Sequence, residues 1–158
     1  MAERAGREFR VALAGNPNSG KTTLFNALTG ARQHVGNYPG VTVEIKEGRF
    51  THDGARVLLT DLPGTYSLTA HSDDEKVARD FILDRRPDLI VDVVDASNLE
   101  RNLYLATQFL ELEIPVVLAF NMWDVVESRG HDVDTELLSR MFGVPIARIS
   151  AHRRTGLD

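Results

Sequence analysis

The sequence predicts an α/β fold in which a doubly wound, mostly parallel sheet of six strands has one antiparallel edge strand and helices on both faces. Short apolar runs alternate with amphipathic helical patterns along the chain, as they do in βαβ architectures. Several of these runs are apolar almost throughout, which is typical of strands buried on both faces. Two neighbouring runs are joined by an Asp-Gly turn, which indicates a hairpin and therefore an antiparallel strand.

The first half of the chain predicts a strand, a helix, a loop and the hairpin. The strand FRVALAG (9–15) leads through a glycine-rich turn into a helix over 21–30, which ends at a glycine. The segment 31–43 contains two glycines and a proline, and we predict an exposed loop there. The run VTVEIKEGRF (41–50) alternates apolar and polar residues, and RVLLTD (56–61) follows it after the HDGA turn. These two runs form the predicted hairpin.

The second half alternates helices and strands. Ser72 and Glu75 fit a capping box, which predicts a helix that continues to about residue 84. The other elements are a strand over 88–96, a helix over 98–113, a strand over 114–121, a helix over 134–143 and a strand over 145–150.

Length and composition restrict the classes of function. A chain of 158 residues fits one domain, 1–158, and it contains no cysteine for disulfides or thiolate metal sites. The net charge of −5 argues against a nucleic-acid partner. No apolar run approaches the roughly 20 residues of a membrane span, and the N-terminus lacks the apolar core of a signal peptide. We therefore expect a soluble cytosolic segment with no direct membrane insertion.

The end of the sequence favours a fragment of a longer protein. The last residues, RRTGLD, resemble the entry to another helix. A doubly wound domain normally covers its last strand with such a helix, so we expect more chain after Asp158.

The segment GNPNSGKT matches a phosphate-binding loop between a strand and a helix. Its glycines permit the tight turn, and successive backbone N–H groups then point at phosphate oxygens. Lys21 is expected to reach the β- and γ-phosphates, and the Thr22 hydroxyl to complete a Mg²⁺ shell. The alternative is a glycine-rich turn with an exposed lysine, but the strand–loop–helix context favours nucleotide binding. The predicted contacts are Gly15, Asn16, Pro17, Asn18, Ser19, Gly20, Lys21, Thr22 and Thr23.

Two later strands end in residues that suit a guanine base. Asn121 and Asp124 follow one strand, and Ser150 and Ala151 follow another, at the edge where open α/β sheets bind ligands. The carboxylate of Asp124 can accept hydrogen bonds from both N1–H and N2–H of guanine, a pair of donors that adenine lacks. The amide of Ala151 can donate to guanine O6. A guanine nucleotide is therefore the expected ligand.

With GNPNSGKT, Thr42, DLPG, NMWD and SA in order, the chain resembles translation-factor-class small GTPase domains, which have the P-loop NTPase fold. Met122 departs from the lysine that the base-reading motif usually carries. A methionine side chain can pack on the base as a lysine stem does, but it has no ammonium group to contact the phosphate loop. This difference implies weaker nucleotide binding and fast nucleotide exchange. Thr65 stands where the best-known hydrolases of this class carry the glutamine that orients water.

Longer segments support a narrower resemblance. GNPNSGKTTLFNALTGARQHVGNYPGVTVE, DLPGTYSL and VVDASNLERNLYL resemble the cytosolic GTPase domain of the bacterial ferrous-iron transporter B (FeoB) family, over nearly the whole chain. A methionine in the base-reading motif is common there. The resemblance implies a GTPase that regulates or drives iron uptake at the cytoplasmic face of the inner membrane. It also implies a helical regulatory domain and a transmembrane domain of the same full-length chain as partners, and a possible oligomer.

The resemblance assigns roles to two mobile segments. Thr42 would ligate Mg²⁺ when the γ-phosphate is present, Asp61 would hold that Mg²⁺ through water, and the Gly64 amide would contact the γ-phosphate. The alternative is that Thr42 is an ordinary residue at the start of a strand. The expected nucleotide contacts of these segments are Gly40, Val41, Thr42, Asp61, Leu62, Pro63 and Gly64, in addition to Met122 in the base-reading motif.

Catalysis without the glutamine follows from the same resemblance. Backbone groups of Thr42 and Gly64 would hold the water, and K⁺ bound by Asn18 and the 36–38 segment would neutralise developing charge. The predicted catalytic residues are Asn18, Lys21, Thr42 and Gly64, and the expected activity is slow, K⁺-stimulated GTP hydrolysis. The alternative is that Asn18 only stabilises the turn.

Three other functions stay open at this point: a ribosome- or tRNA-associated GTPase, a nucleotide-sensing module with negligible turnover, and an ATP-using phosphotransferase. Glu44 and Glu47 would point to opposite faces of a strand, which makes them a poor iron chelate. Arg101, Arg153 and Arg154 are expected to be solvated or to contact a neighbouring domain.

Overall fold

A computed structural model describes residues 6–30, 33–69 and 71–158. Within these ranges the strands are β1 (Glu8–Gly15), β2 (Gln33–Asn37), β3 (Glu44–His52), β4 (Ala55–Asp61), β5 (Leu89–Asp95), β6 (Val116–Asn121) and β7 (Ile146–Arg148). The helices are α1 (Lys21–Thr29), α2 (Asp73–Arg85), α3 (Leu99–Leu110), α4 (Trp123–Ser128) and α5 (Thr135–Phe142), and a 3₁₀ turn, Ala96–Asn98, leads into α3.

All the described strands form one sheet in the order β2-β3-β4-β1-β5-β6-β7. β1 pairs in parallel with β4 and with β5, and parallel pairing continues through β6 to β7. β3 runs antiparallel to both β4 and β2. The α/β class, the mostly parallel sheet and the β3–β4 hairpin are confirmed, although the described residues form seven strands where the sequence predicted six.

The additional strand, β2, lies inside the segment predicted as an exposed loop. Residues 31 and 32 of that loop lie outside the described residues. The prediction is wrong for Gln33–Asn37, which pairs with β3 so that Asn37 is opposite Glu44. A turn follows, in which the Tyr38 amide donates to the Val43 carbonyl at 3.0 Å. Because β2 is a short edge strand, a single neighbouring strand stabilises it, and its composition does not reveal it.

The helices cover both faces of the sheet. On one face α2 and α3 pack on β5 and β6 through a buried cluster that includes Ile82, Leu105 and Phe109. On the other face α1 buries Leu24 and Phe25 against β1 and β4. This two-sided cover explains the nearly continuous apolar runs of the central strands.

Two local details differ from the sequence prediction. The α2 cap forms as expected at Ser72, whose hydroxyl accepts from the Glu75 amide at 3.2 Å, but the Glu75 carboxylate accepts from the His71 amide rather than from Ser72. The short helix α4, directly after Met122, had no periodic pattern to predict it. No helix among the described residues is long and apolar enough to cross a membrane.

Candidate nucleotide-binding site

A cavity of about 480 Å³ opens at the carboxyl edge of the sheet, over the start of α1. Phosphate-loop residues and parts of three other segments form its wall. The lining residues are Asn16, Pro17, Asn18, Gly20, Lys21, Thr22, Thr23, Gly64, Asp74 and Met122. All except Asp74 are predicted contacts; Asp74 lies in the first turn of α2, and its sequence position gave no sign of this role.

The phosphate loop turns tightly between β1 and α1. Asn18 has a φ of 65° and Gly20 a φ of 91°, both in the left-handed region, and the Ser19 amide donates to the Asn16 carbonyl at 3.2 Å. No side chain caps α1, and its first turn carries no acidic residue. The free N–H groups and positive end of the helix dipole therefore face the cavity, which is an arrangement suited to an anion.

Two glycines allow the neighbouring segments to approach the loop. A Cβ atom on Gly20 would lie 2.1 Å from the Asn121 side-chain nitrogen. A Cβ atom on Gly64 would lie 3.0 Å from the Pro17 Cα atom. The DLPG segment (61–64) and the end of β6 are thus packed directly against the phosphate loop.

Lys21 and Asp61 form a buried ion pair, in which the Lys21 ammonium donates to the Asp61 carboxylate. Their side chains are 9% and 6% exposed, so each charge depends on the other for compensation. The predicted phosphate-binding lysine and the predicted Mg²⁺-holding aspartate are therefore adjacent in the fold. A bound phosphate would give Lys21 a second anionic partner.

The residues after Gly64 are fixed to the phosphate loop and to α3. The Thr65 amide donates to the Gly15 carbonyl at 3.0 Å, and the Thr65 hydroxyl donates to the Ser67 carbonyl at 2.7 Å. The Arg101 guanidinium lies 4.6 Å from the centre of the Tyr66 ring and also donates to its hydroxyl. Arg101 is exposed, as expected, but it also contacts Tyr66, because helical periodicity does not show which loop packs on an exposed helix position.

The other predicted mobile segment lies away from the cavity. Gly40, Val41 and Thr42 are not among the described residues that line it, and Thr42 is exposed at a bend before β3. Tyr38 lines a different cavity of about 170 Å³, beside Phe81 of α2. The structure therefore brings Asn18, Lys21 and Gly64 together but does not bring Thr42 to them.

Asn121 connects the base-reading strand end to the phosphate loop. Its buried side chain donates to the Ser19 carbonyl at 2.9 Å and accepts from the Ala151 amide at 3.0 Å. Met122 has a φ of 60°, and its methyl carbon lies 3.5 Å from the position of a Cβ atom on Gly20. Met122 thus packs beside the phosphate loop, as the apolar part of a lysine stem would.

Asp124 is held by three side chains from the segment after β7. The Ser150 hydroxyl donates to Oδ1 at 2.9 Å, while His152 Nε2 and Arg153 Nε lie 3.3 Å and 3.5 Å from Oδ2. Burial alone would raise the pKa of Asp124, but the Ser150 hydrogen bond and the charges of His152 and Arg153 outweigh it and hold the pKa below its usual value. Asp124 is therefore ionised near neutral pH.

His152 and Arg153 are the contacts that the sequence did not predict. Arg153 is exposed, as expected, but its guanidinium also reaches Asp124 across the loop. The only sequence signal was a run of three basic residues, His152, Arg153 and Arg154, directly after Ser150-Ala151. In the described parts of the chain, no group of three or more His, Cys, Asp or Glu side chains is placed to hold a metal ion.

Comparison with known proteins identifies one family. The profile described as "Ferrous iron transport protein B" matches residues 9–158. The Fe(2+) transporter FeoB of Salmonella typhimurium is 52% identical over 156 residues, and that of Shigella flexneri is 51% identical over the same length. Each alignment covers 96% of this chain and 20% of the relative. The chain thus spans about a fifth of the length of the curated relatives it matches.

Solved structures give the same result. The cytosolic domain of T. maritima FeoB in its GMPPNP form superposes with a TM-score of 0.92 at 49% identity, covering 94% of this chain and 59% of that chain. A mutant S. thermophilus NFeoB bound to GDP gives 0.90 at 51% identity, covering 95% of this chain and 59% of that chain. The cytosolic domain of L. pneumophila FeoB gives 0.89 at 50% identity, covering 94% of this chain and 64% of that chain.

Proposed function

The chain belongs to the ferrous iron transport protein B family, and from this premise we propose that it is a GTP-binding and GTP-hydrolysing switch domain that regulates or drives ferrous iron uptake. The observation that carries the proposal is the bridge made by Asn121 between the phosphate loop and Ala151, beside an ionised Asp124. One side chain thereby joins a site for phosphates to a site for a base with two adjacent N–H donors.

Guanine fits the base end better than adenine. An ionised carboxylate only accepts hydrogen bonds, so Asp124 favours the N1–H and N2–H edge of guanine and repels the N1 acceptor of adenine. Structural neighbours at about half sequence identity were solved with GDP and in a GMPPNP form. These neighbours support a guanine nucleotide as the ligand of this chain.

The phosphate end has residues that fit Mg²⁺. Thr22 supplies a hydroxyl oxygen in the lining of the cavity, and Asp61 supplies a carboxylate beside Lys21. Oxygen ligands of this kind suit Mg²⁺, which keeps several waters and shares phosphate oxygens. When bound, the ion would neutralise charge on the terminal phosphates. Thr42, the third proposed ligand, has to move from its bend before β3 toward the cavity.

Hydrolysis has to proceed without a glutamine at Thr65. The Thr65 hydroxyl and amide already donate to backbone carbonyls, so this residue stabilises the loop instead of orienting water. We propose that backbone groups of Gly64 and Thr42 orient the attacking water. Asn18 lines the cavity and supplies an amide oxygen suited to K⁺, which would neutralise the charge that an arginine finger neutralises elsewhere.

Base selectivity tests the nucleotide proposal. Wild-type protein is expected to bind GDP at least tenfold more tightly than XDP or ADP, as measured by isothermal titration calorimetry. Asp124→Asn replaces an acceptor with a donor, which suits the C2 carbonyl of xanthine, so this variant is expected to prefer XDP. Equal affinity of the wild-type protein for GDP and ADP would overturn the proposal.

Turnover in different salts tests the proposed role of the cation. Single-turnover GTP hydrolysis is expected to be faster in K⁺ than in Na⁺ at equal ionic strength, and Asn18→Ala is expected to remove the difference. Indistinguishable rates of the wild-type protein in the two salts contradict the K⁺ role but leave GTP binding intact.

The role in iron uptake, at the cytoplasmic face of the inner membrane and with helical and transmembrane domains as partners, is tested in the full-length transporter. There, Lys21→Ala is expected to abolish Fe²⁺ accumulation.

A further inference from the structure

The carboxylate of Asp124 has more protein partners than a base-reading residue needs. Ser150 donates to Oδ1, while His152 and Arg153 both approach Oδ2. The Asp124 side chain is 16% exposed, whereas those of His152 and Arg153 are 52% and 66% exposed. The two basic side chains therefore reach the carboxylate from the solvent side.

The number of acceptor sites on a carboxylate limits what Asp124 can bind. Its two oxygens have about four lone-pair positions in total. Ser150 donates a hydrogen bond to Oδ1, and the basic nitrogens of His152 and Arg153 lie within 3.5 Å of Oδ2, so Oδ2 is the oxygen at which a further donor meets competition. The guanine edge presents two N–H donors side by side and needs one position on each oxygen.

We infer that His152 and Arg153 compete with guanine for Asp124, and that Arg153 is the side chain that guanine displaces. Of the three contacts, that of Arg153 is the longest, at 3.5 Å, and its side chain is the most exposed. Arg153 thus occupies the carboxylate oxygen that one of the two guanine N–H donors would use. This inference rests on the proposed function, since it concerns how the same base site is regulated.

The consequence is weaker binding and faster release of the nucleotide. Guanine has to break an ion pair before it makes both hydrogen bonds, and the ion pair re-forms as the base leaves. Exposed ion pairs have small stabilising effects, so removal of Arg153 is expected to tighten GDP binding by about two- to fivefold. Most of the change is expected in the dissociation rate, as is usual for contacts at a binding site.

The experiment compares Arg153→Ala with Arg154→Ala, a control with the same change of charge in the same loop. Arg154 does not contact Asp124; its guanidinium donates to the Ala27 carbonyl at 3.1 Å. Affinities for GDP and for IDP are measured by calorimetry, and GDP dissociation by stopped flow with a fluorescent GDP analogue. IDP lacks the 2-amino group and presents only the N1–H donor, which Oδ1 can accept without displacing the two basic side chains at Oδ2.

The inference predicts a specific pattern of affinities. Arg153→Ala binds GDP more tightly and releases it more slowly than wild type, while its affinity for IDP is unchanged. Arg154→Ala resembles wild type with both ligands. His152→Ala gives a second variant, with an effect on GDP in the same direction as Arg153→Ala.

Two outcomes separate this inference from the function on which it rests. If wild-type protein binds GDP but Arg153→Ala binds it equally or more weakly, Arg153 does not compete with guanine and the inference is wrong. If Arg153→Ala binds both GDP and IDP more tightly by the same factor, the inference is also wrong. The change would then come from the loss of a positive charge near the site and not from competition for one acceptor. If wild-type protein fails to bind GDP at all, the proposed function itself is wrong.

Discussion

The side chain of Asn121 donates a 2.9 Å hydrogen bond to the backbone carbonyl of Ser19, and so joins the end of β6 to the phosphate loop. The same amide accepts a hydrogen bond from the Ala151 backbone at 3.0 Å. Asn121 is 1% exposed, so neither bond competes with bulk water. One rigid side chain therefore fixes the separation between the phosphate end and the base end of the site.

Asn121→Ala is expected to lower the free energy of unfolding by about 2 to 4 kcal/mol, since it leaves a buried carbonyl and a buried amide without partners. GDP affinity is expected to fall more than tenfold, because the two ends of the site lose their common support. Urea unfolding and calorimetry measure the two effects. Asn37→Ala, at an exposed position of β2, is the control for stability. A folded variant with wild-type GDP affinity would contradict the bridging role.

Gly20→Ala is expected to disrupt the site through a direct clash. The added methyl group would stand 2.1 Å from the Asn121 side-chain nitrogen, and the backbone at φ 91° already disfavours an L side chain. Gly54→Ala controls for the backbone cost, since Gly54 has a φ of 78° but no atom within 4 Å of the added methyl group. The control is expected to lose about 1 kcal/mol of stability and to retain GDP binding. Gly20→Ala is expected to lose GDP binding altogether. If the two substitutions change stability and GDP binding equally, the clash at Gly20 has no effect on the site.

The parts of this molecule that could be predicted from sequence are those in which the signal is local. The phosphate loop is contiguous, and its glycines, Lys21 and Thr22 carry their geometry in their spacing. The parallel strands were predicted because burial on both faces makes them apolar throughout. The strand end at Asn121 and Asp124 was predicted because sheet topology brings carboxyl ends to one edge.

The features that the sequence did not reveal depend on contacts between distant segments. β2 is stabilised by its pairing with β3, whereas its own glycine and neighbouring proline favour a loop. Arg101, His152 and Arg153 have ordinary surface chemistry, and only the fold decides that they meet Tyr66 and Asp124. Exposed basic residues are usually solvated, so pattern alone gives no reason to assign them a partner.

Asp61→Asn is expected to destabilise the nucleotide-free protein by about 3 kcal/mol, since it leaves the Lys21 ammonium buried without a counter-charge. Saturating GDP is expected to recover part of this loss, because its phosphates supply the missing negative charge. Unfolding by urea with and without GDP measures both the loss of stability and its recovery. Glu8→Gln removes an exposed ion pair with Arg49 and is expected to change stability by less than about 1 kcal/mol. Similar losses for the two variants would contradict the buried pairing.

Asp92 is a carboxyl group inside the core that has no role in the proposed mechanism. It lies on β5 between Ile90 and Val94, which belong to the buried cluster under α2 and α3, and is itself 1% exposed. One of its carboxylate oxygens has no hydrogen-bond partner. Burial raises the pKa of Asp92 from 3.8 to about 8, so the folded protein keeps this group neutral at neutral pH.

This raised pKa makes stability fall as pH rises. Between about pH 4 and pH 8 the folded state holds a proton that the unfolded state has lost, so the free energy of unfolding decreases by about 1.4 kcal/mol per pH unit. The contribution is fully present below pH 4 and absent well above pH 8.

Asp92→Asn removes the titrating group, so the variant is expected to gain about 3 kcal/mol relative to wild type between pH 5 and pH 7. Urea unfolding across this range measures the slopes, with Asp84→Asn on the exposed side of α2 as the control. Parallel pH profiles for wild type and Asp92→Asn would mean that Asp92 is ionised in the core and is stabilised by a partner other than a proton.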